Sequence, residues 1–555
     1  MQPRLPLSTL TPPEQRSNNT MSDTALPAPG RGVPIKAIPK PETDEFALTP
    51  RRIAAFMIMV FGMFMAILDI QIVSASLPDI QAGLGASTDE ISWVQTSYLI
   101  AEVIMIPLSG FLARVMSTRI LFAVAAAGFT GASFMCATSG SINEMILWRA
   151  LQGFLGGGMI PSVFAAAFTI FPPSKRNIVS PIIGLIATLA PTVGPTIGGY
   201  LSATMSWHWL FLVNVIPGIG VAIGAWVLID FDRPNWKLFN KFDWWGLAAL
   251  AAFLGGLEYV LEEGPANDWL DDEAVAILAV FMVVGGIVTF WRAFTREEPI
   301  VDFSAFRNTN FAVGSLFSFT MGIGLYGLTY LYPLYLTSIR GYDSLMIGQT
   351  VFVSGLAMFF SAPLAGILSS KIDLRLMLLI GFLGFATSTW MLTGMTPDWD
   401  FNELFWPQVL RGMSLMLCMV PINNLALGTL PRDKMKGASG LYNLMRNLGG
   451  AVGLAVINTL LSDRRALHYE RLSEALNWAN DAAVEQLNAM AANLTARGLD
   501  GETGALMQMA GRLRGQAAVM SFIDVFVLIT LLFAGLAFCA VLMKTPPKGA
   551  AVSAH

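Results

Sequence analysis

Fourteen apolar runs, each about as long as a bilayer is thick, leave this chain little choice of fold. They lie at roughly 53–77, 91–113, 119–138, 143–170, 178–201, 207–230, 243–261, 273–293, 311–336, 345–369, 374–395, 403–428, 437–461 and 520–543. About 20 residues rising 1.5 Å each cross the roughly 30 Å hydrocarbon layer, so each run can span as a helix. The chain is 54% hydrophobic and only 13% charged, against roughly 25% charged in a soluble domain, so its apolar surface must face lipid. The expected fold class is an all-α polytopic membrane protein.

Charge placement orients the spans. Connections on the side of the N-terminal tail carry Arg51, Arg52, Arg114, Arg119, Lys175, Arg176 and further basic residues as far as Lys548, whereas the short opposite connections carry only Arg340. The positive-inside bias then puts both termini in the cytoplasm. Residues 1–50 hold ten prolines and many Ser, Thr and Asn, a composition that cannot bury enough apolar area to order itself, so a disordered cytoplasmic tail is expected. It lacks the build of a signal peptide, so the first span should be retained, and either Met1 or Met21 can serve as the start. Residues 546–555 form the second cytoplasmic tail.

The composition gives no sign of nucleic-acid binding. Cys136, Cys418 and Cys539 lie in apolar runs without CxxC or Cys/His spacing, and His208, His468 and His555 are scattered. Neither a metal site nor any other cofactor is expected.

Asp69 interrupts the first run. A carboxylate at membrane depth costs about 2.5 to 3.5 kcal/mol on insertion scales, so it normally faces a bundle interior and pairs there. A second placement stays open, a helix-end acid reaching the outer interface. Arg149 lies at comparable depth in run four, which is antiparallel to run one. An Arg cannot lose its proton and an Asp can take one up, so protonating Asp69 would break such a pair. That makes Asp69 and Arg149 candidates for proton coupling, or else a purely structural ion pair. Glu102, near the middle of run two, is a third candidate for coupling. Glu258 and Asp524 lie near span ends, where an interfacial role is expected, and Arg411 and Arg446 are candidates to balance the buried acids.

Run four continues from Arg149 through Gln152, Gly153, Gly156, Gly157 and Gly158. Glycines there give a face without side chains, against which a neighbouring helix can pack closely. Run five carries Pro191, Gly194, Pro195, Gly198 and Gly199, a combination expected to bend the helix and make it a hinge or seal.

Two internal repeats are visible. Pro107-Leu-Ser-Gly110-Phe-Leu in run two returns as Pro363-Leu-Ala-Gly366-Ile-Leu in run ten, and Arg149-Ala-Leu-Gln152-Gly153 stands against Gln408-Val-Leu-Arg411-Gly412. Two related six-helix lobes follow, with runs seven and eight as an insert and a site at midplane between the lobes.

Several of these stretches resemble signature motifs of one family. They are R-x-x-Q-G at Arg149–Gly153, G-P-x-x-G-G at Gly194–Gly199, and Leu68-Asp69 followed by Leu77-Pro78. Trp207–Pro217, Tyr332–Tyr335 with Arg340–Tyr342, and Arg446–Gly450 add to them. Together they are similar to the major facilitator superfamily, in its fourteen-helix drug:proton antiporter branch of the EmrB/QacA type. One motif departs. The loop after the second span usually reads G-x-x-x-D-R-x-G-R, but here Arg114 stands where the Asp is expected and Ser117 replaces the second Gly. An Asp-based latch at the cytoplasmic face is therefore in doubt, and a basic loop anchoring to anionic lipid and helix C-termini remains.

The resemblance implies a six-helix lobe at 51–230, a two-helix insert at 231–300, and a second lobe at 301–545 that includes a periplasmic hairpin at 462–519. It implies proton-coupled efflux of lipophilic drugs or toxic compounds across an inner membrane by alternating access. In run nine the aromatic residues Phe319, Tyr326 and Tyr330 suit flat lipophilic cations, and Asn423 and Arg411 complete the expected substrate cavity. Tyr332 and Tyr335 are expected in an interfacial belt. Residues 462–519 read as a short amphipathic hairpin with Val484, Leu487, Ala491 and Leu494 at helical spacing. Such a hairpin either caps the outer face or docks a periplasmic adaptor that feeds an outer-membrane channel. An exporter of a metabolite, lipid or siderophore on the same scaffold stays open, and a membrane-embedded enzyme or sensor is a more distant alternative.

Overall fold

The computed structural model describes residues 49–540, apart from 173, 174, 297, 343, 475–480 and 499. Most of the N-terminal tail, the C-terminal tail and the middle of the expected hairpin lie outside the described residues.

Fourteen helices are long and apolar enough to cross a membrane. The first six are α1 (Pro50–Ser74), α2 (Glu90–Met116), α3 (Thr118–Ala137), α4 (Ile142–Ile170), α5 (Ile178–Thr204) and α6 (Trp209–Leu228). Two more follow, α7 (Trp244–Ala266) and α8 (Glu273–Thr295). The last six are α9 (Thr309–Ser338), α10 (Met346–Lys371), α11 (Leu374–Gly394), α12 (Phe401–Ala426), α13 (Met435–Glu474) and α14 (Gly501–Cys539). The face at which α1 begins is here the near face, and the opposite one the far face.

Helix starts are set by polar residues in the short connections. Ser87 and Glu90 form a reciprocal capping box at the start of α2, Asp400 and Glu403 do the same for α12, and Asn308 caps α9. Each satisfies backbone N–H groups that would otherwise point unpaired toward the membrane.

The helices form two six-helix lobes and a two-helix insert. In the first lobe α1 packs on α5, α2 on α4, and α3 on α4 and α6; in the second, α9 packs on α13, α10 on α12, and α14 on α11 and α13. The lobes meet along two seams, α5 against α10 and α2 against α13. The insert is a hairpin whose α7 leans on both α2 and α13, while α8 touches little but α7 and exposes Val280, Val284, Ile287 and Trp291.

Three features depart from a reading as plain spans. Helix α4 is broken at Gly157–Gly158, between helical stretches Ile142–Gly156 and Met159–Ile170. Helix α6 is broken at Val213–Asn214, between Trp209–Leu212 and Val215–Leu228. Helices α13 and α14 run for 40 and 39 residues, about twice the length a bilayer needs. The connection expected as a short amphipathic hairpin contains a helix, Asp481–Ala496, that packs on α14, and the far ends of these two helices extend it into a helical stalk.

Candidate functional site

Asp69 is fully buried, not a helix-end acid at the surface. Its Oδ2 lies 2.7 Å from Arg149 Nη1, and both side chains have 0% exposure. Its Oδ1 accepts from Asn214 Nδ2 at 2.6 Å and from Gln152 Nε2 at 3.0 Å. Gln152 also donates to Ser133 Oγ at 2.6 Å, and its own Oε1 accepts from Arg149 Nη1 at 2.7 Å. Arg149 Nε donates to the Val94 carbonyl at 3.1 Å, and the guanidinium carbon sits 4.2 Å from the centre of the Tyr98 ring. Helices α1, α2, α3, α4 and α6 thus converge on one carboxylate.

The sequence explains this convergence locally. Arg149 and Gln152 are three apart on α4 and share a face, and the break in α6 falls at Asn214, whose side chain reaches Asp69. Gly153 and Gly157 press against α2: a Cβ on Gly153 would lie 2.9 Å from Tyr98 Cα, and one on Gly157 would lie 2.7 Å from the Glu102 carbonyl. No other side chain fits there. Glu102 is itself buried, its Oε1 finds no hydrogen-bond partner among the described residues, and the charges that act on it are Arg149, Arg446 and Asp69.

Helix α5 is continuous through Pro181, Pro191 and Pro195. Gly194 rests on Gln71 of α1, and a Cβ on Gly198 would meet the Ile72 carbonyl at 2.6 Å. Gly199 is half-buried and Tyr200 beyond it exposed. On its other side α5 receives Gly348 and Gly355 of α10, which sit against Thr196 and Thr192. The proline and glycine run therefore lies where α5 contacts both its own lobe and the other.

The near face holds what the loop motif lacks. Asp232, just after α6, accepts from Thr118 N at 2.8 Å and Oγ1 at 2.7 Å, and from Lys436 Nζ of the second lobe at 2.6 Å. Lys436 Nζ also donates to the Ala113 carbonyl at 2.9 Å, and Arg114 pairs with Glu298 at 3.1 Å. A carboxylate does sit at this loop, but α6 supplies it. Arg176 on the Gly428 carbonyl (2.9 Å) and Ser180 on Asn424 (2.5 Å) tie α5 to α12 at the same level.

The second lobe does not repeat the acid. Arg411, the counterpart of the α4 motif, donates to Thr329 Oγ1 at 2.9 Å and to the Leu325 carbonyl, with no carboxylate partner among the described residues. It therefore balances no buried acid directly, whereas Arg446 donates to Asn443 at 2.7 Å and acts on Glu102.

The residues expected in a substrate cavity lie on α9 and α12, several of them against α13. Arg411 and Asn423 are fully buried, and Asn423 Oδ1 accepts from Tyr442 OH at 2.6 Å. Phe319 is half-buried, with its backbone against Gly449, Tyr326 lies on Gly450, and Tyr330 is exposed. Tyr332 and Tyr335 are not an interfacial belt: both are buried, and Tyr335 OH donates to the Thr396 carbonyl at 2.7 Å.

A cavity of about 390 Å³ lies elsewhere, in the near half of the α5/α10 seam, lined mostly by apolar residues such as Pro181, Ile182, Leu185, Phe359 and Pro363, with Ser370 at its edge. Its rim residues Ile178, Phe359 and Ile367 are exposed. The related α2/α13 seam is shut at this level, where a Cβ on Gly110 would lie 2.8 Å from the Lys436 carbonyl.

Residues 59–454 match the family model described as Major Facilitator Superfamily. The chain belongs to the major facilitator superfamily, in its EmrB-type branch. It is 41% identical over 495 residues to the colistin resistance protein EmrB of Acinetobacter baumannii, covering 89% of this chain and 97% of that protein. It is 30% identical to the multidrug export protein EmrB of Escherichia coli, covering 88% and 94%, and 31% identical to the fatty acid resistance protein FarB of Neisseria gonorrhoeae, covering 80% and 86%. The fold is shared with a solved human organic anion transporter, MFSD10, at a TM-score of 0.55 and 14% identity, over 87% of this chain and all of that one. This superfamily member is a multi-pass transmembrane transporter.

Sequence reasoning missed Asn214, Ser133 and Asp232 as partners. Asn214 lay in a quoted motif with no role attached, and Ser133 carries no signal inside an apolar run. Asp232 was legible only as an acid among basic connections.

Proposed function

We propose that this superfamily member is an inner-membrane exporter that drives lipophilic drugs or other toxic compounds outward in exchange for protons. The observation that carries the reading is the fully buried Asp69 held by Arg149, Gln152 and Asn214. Protonating Asp69 removes the negative charge on which Arg149, Gln152 and Asn214 converge. The guanidinium stays charged but keeps only neutral acceptors, Gln152 and the Val94 carbonyl, so the preferred packing of α1 against α4 and α6 changes. Close packing along the α5 glycines passes that change to both lobes. The near-face ties open in one state and hold in the other, and so give alternating access with both termini in the cytoplasm.

The names of the relatives support a toxic-compound cargo, as multidrug export, colistin resistance and fatty acid resistance proteins. The apolar α5/α10 cavity supports a lipophilic one, because a compound dissolved in the bilayer could enter it sideways from the near leaflet. We also assign the stalk as the surface for a periplasmic adaptor. Leu494 is packed inside the stalk against Gly504, so among the described residues the large apolar side chains open to a partner are Leu506 and Met507, at 48% and 70% exposure.

Everted vesicles with an imposed pH gradient test the reading. Dye accumulation should follow the gradient, collapse with a protonophore and be lost in Asp69→Asn. Gradient-driven accumulation by correctly inserted Asp69→Asn overturns it.

A further inference from the structure

Glu258 lies on insert helix α7 near the end of the span, and its side chain is buried within the protein, at 6% exposure. The register of α7 against α2 is fixed at several points. A Cβ on Gly255 would meet Ile100 Cγ2 at 3.2 Å, the rings of Tyr259 and Trp93 lie 5.3 Å apart, and Glu263 Oε1 accepts from Thr96 Oγ1 at 3.1 Å. Glu258 and Glu262 are one turn apart on this helix. Glu102 on α2, with its unpartnered Oε1, comes about one turn nearer the near face than Glu258.

Glu262 and Glu102 act on Glu258; Glu263 acts on Glu262; Tyr326 of α9 feels Glu102, Glu258 and Arg446; Tyr330 of α9 feels Glu262 and Arg465. Arg149, Arg446 and Asp69 act on Glu102 at the inner end. Glu258 and Glu262 have no salt bridge among the described residues. Carboxylates at membrane depth without a cation beside them are costly as anions and tolerable as acids. They are therefore chemically fit to carry protons.

We propose that Glu262 and Glu258 form a proton path along α7, leading from the far face to Glu102 and so to Asp69, which makes the insert part of the coupling machinery. Each transfer breaks one carboxyl O–H bond and forms the next, directly or through water. The proton that reaches Asp69 leaves at the near face when the transporter turns. The proposal rests on the antiport reading above.

Protein reconstituted in liposomes, with ethidium as probe, separates the two. Glu258→Gln and Glu262→Gln should lower gradient-driven ethidium transport at least tenfold. Ethidium affinity and ethidium counterflow, which needs no net proton movement, should stay within twofold of the unaltered protein. Glu258→Asp should recover much of the driven rate, since it keeps the carboxyl. Unchanged driven transport and pH profile in both Gln variants, beside an inactive Asp69→Asn, overturns the path and leaves antiport standing. Weakened ethidium affinity with intact coupling also overturns it, in favour of a cation subsite. Driven transport surviving in Asp69→Asn removes the antiport reading itself.

Discussion

Lys436 Nζ lies 2.6 Å from Asp232 Oδ2, joining the first turn of α13 to the end of α6 across the two lobes. The same carboxylate caps α3 through Thr118, so the two partners differ in what their loss removes. Lys436→Gln should release only the cross-lobe tie, whereas Asp232→Asn should also loosen the start of α3. In a background without native cysteines, maleimide labelling of Ser439→Cys, fully buried here, should rise several-fold from the near face with either change. The double swap of Asp232→Lys with Lys436→Asp should restore protection.

Asp69→Asn should insert normally, because an amide oxygen still accepts from Arg149, and yet lose all gradient-driven transport. Arg149→Ala should fare worse in the membrane. Removing one partner of a buried pair typically costs about 3 to 5 kcal/mol, and here it leaves the Asp69 carboxylate buried without a cation. Expression and thermal melting in detergent would show this asymmetry. Arg149→Lys should not rescue, since one ammonium on a flexible stem cannot reproduce bonds that leave a planar guanidinium in two directions.

Glycines divide sharply by what surrounds them. Gly157→Leu and Gly198→Leu force side chains into the Glu102 and Ile72 backbones, an overpacking cost of about 1 to 3 kcal/mol or more where backbone must move. Gly131 and Gly220 have nothing within 4 Å. Gly131→Leu and Gly220→Leu should insert and transport normally, and melting temperatures of the four variants test the contrast.

Much of this was legible in the chain because lipid imposes a simple rule. Runs of about 20 apolar residues can only be helices, and an acid inside one must find a partner; Asp69 and Arg149 followed from depth alone. Depth says nothing about rotation around a helix axis. That is why Tyr332 and Tyr335 turned out buried and Tyr330 exposed, and why Glu258, near a span end, proved buried against α2. Breaks were equally hidden: Gly157–Gly158 and Asn214 interrupt helices in apolar stretches of unchanged hydropathy. The length of α13 was missed because its far half is polar, and a hydropathy window ends where the helix does not.

Asp243 caps α7 through Gly246 N at 2.9 Å and pairs with Arg292 at the end of α8, clamping the insert shut at the near face. The Arg292 hydrogen bond holds this carboxyl below the usual range. Its contribution is present above the ordinary Asp pKa of about 3.9 and is lost as pH falls through the lower folded value. Asp243→Asn should therefore lower the melting temperature at pH 7, and the difference should shrink as the pH falls below the ordinary Asp range and through the lowered carboxyl pKa. A difference independent of pH would mean that capping, not charge, is what matters there.

The stalk carries the last prediction. An exporter that releases a lipophilic compound between two membranes gains little, because the compound repartitions into the membrane it left. A relay to an outer-membrane channel is therefore physically sensible, and the stalk is the only far-face element among the described residues large enough to seat an adaptor. Deleting residues 470–510 spares the belt at its base, where Asp524 accepts from His468 at 2.9 Å and lies 3.7 Å from Arg464. The transmembrane body should then fold and pump in isolated vesicles, while resistance in cells is lost. A smaller lesion sharpens the test. Leu506→Glu with Met507→Glu puts charge on the exposed apolar spot without touching the Leu494 packing, and should lower resistance as the deletion does. Resistance that survives both changes would mean that the permease works without an adaptor.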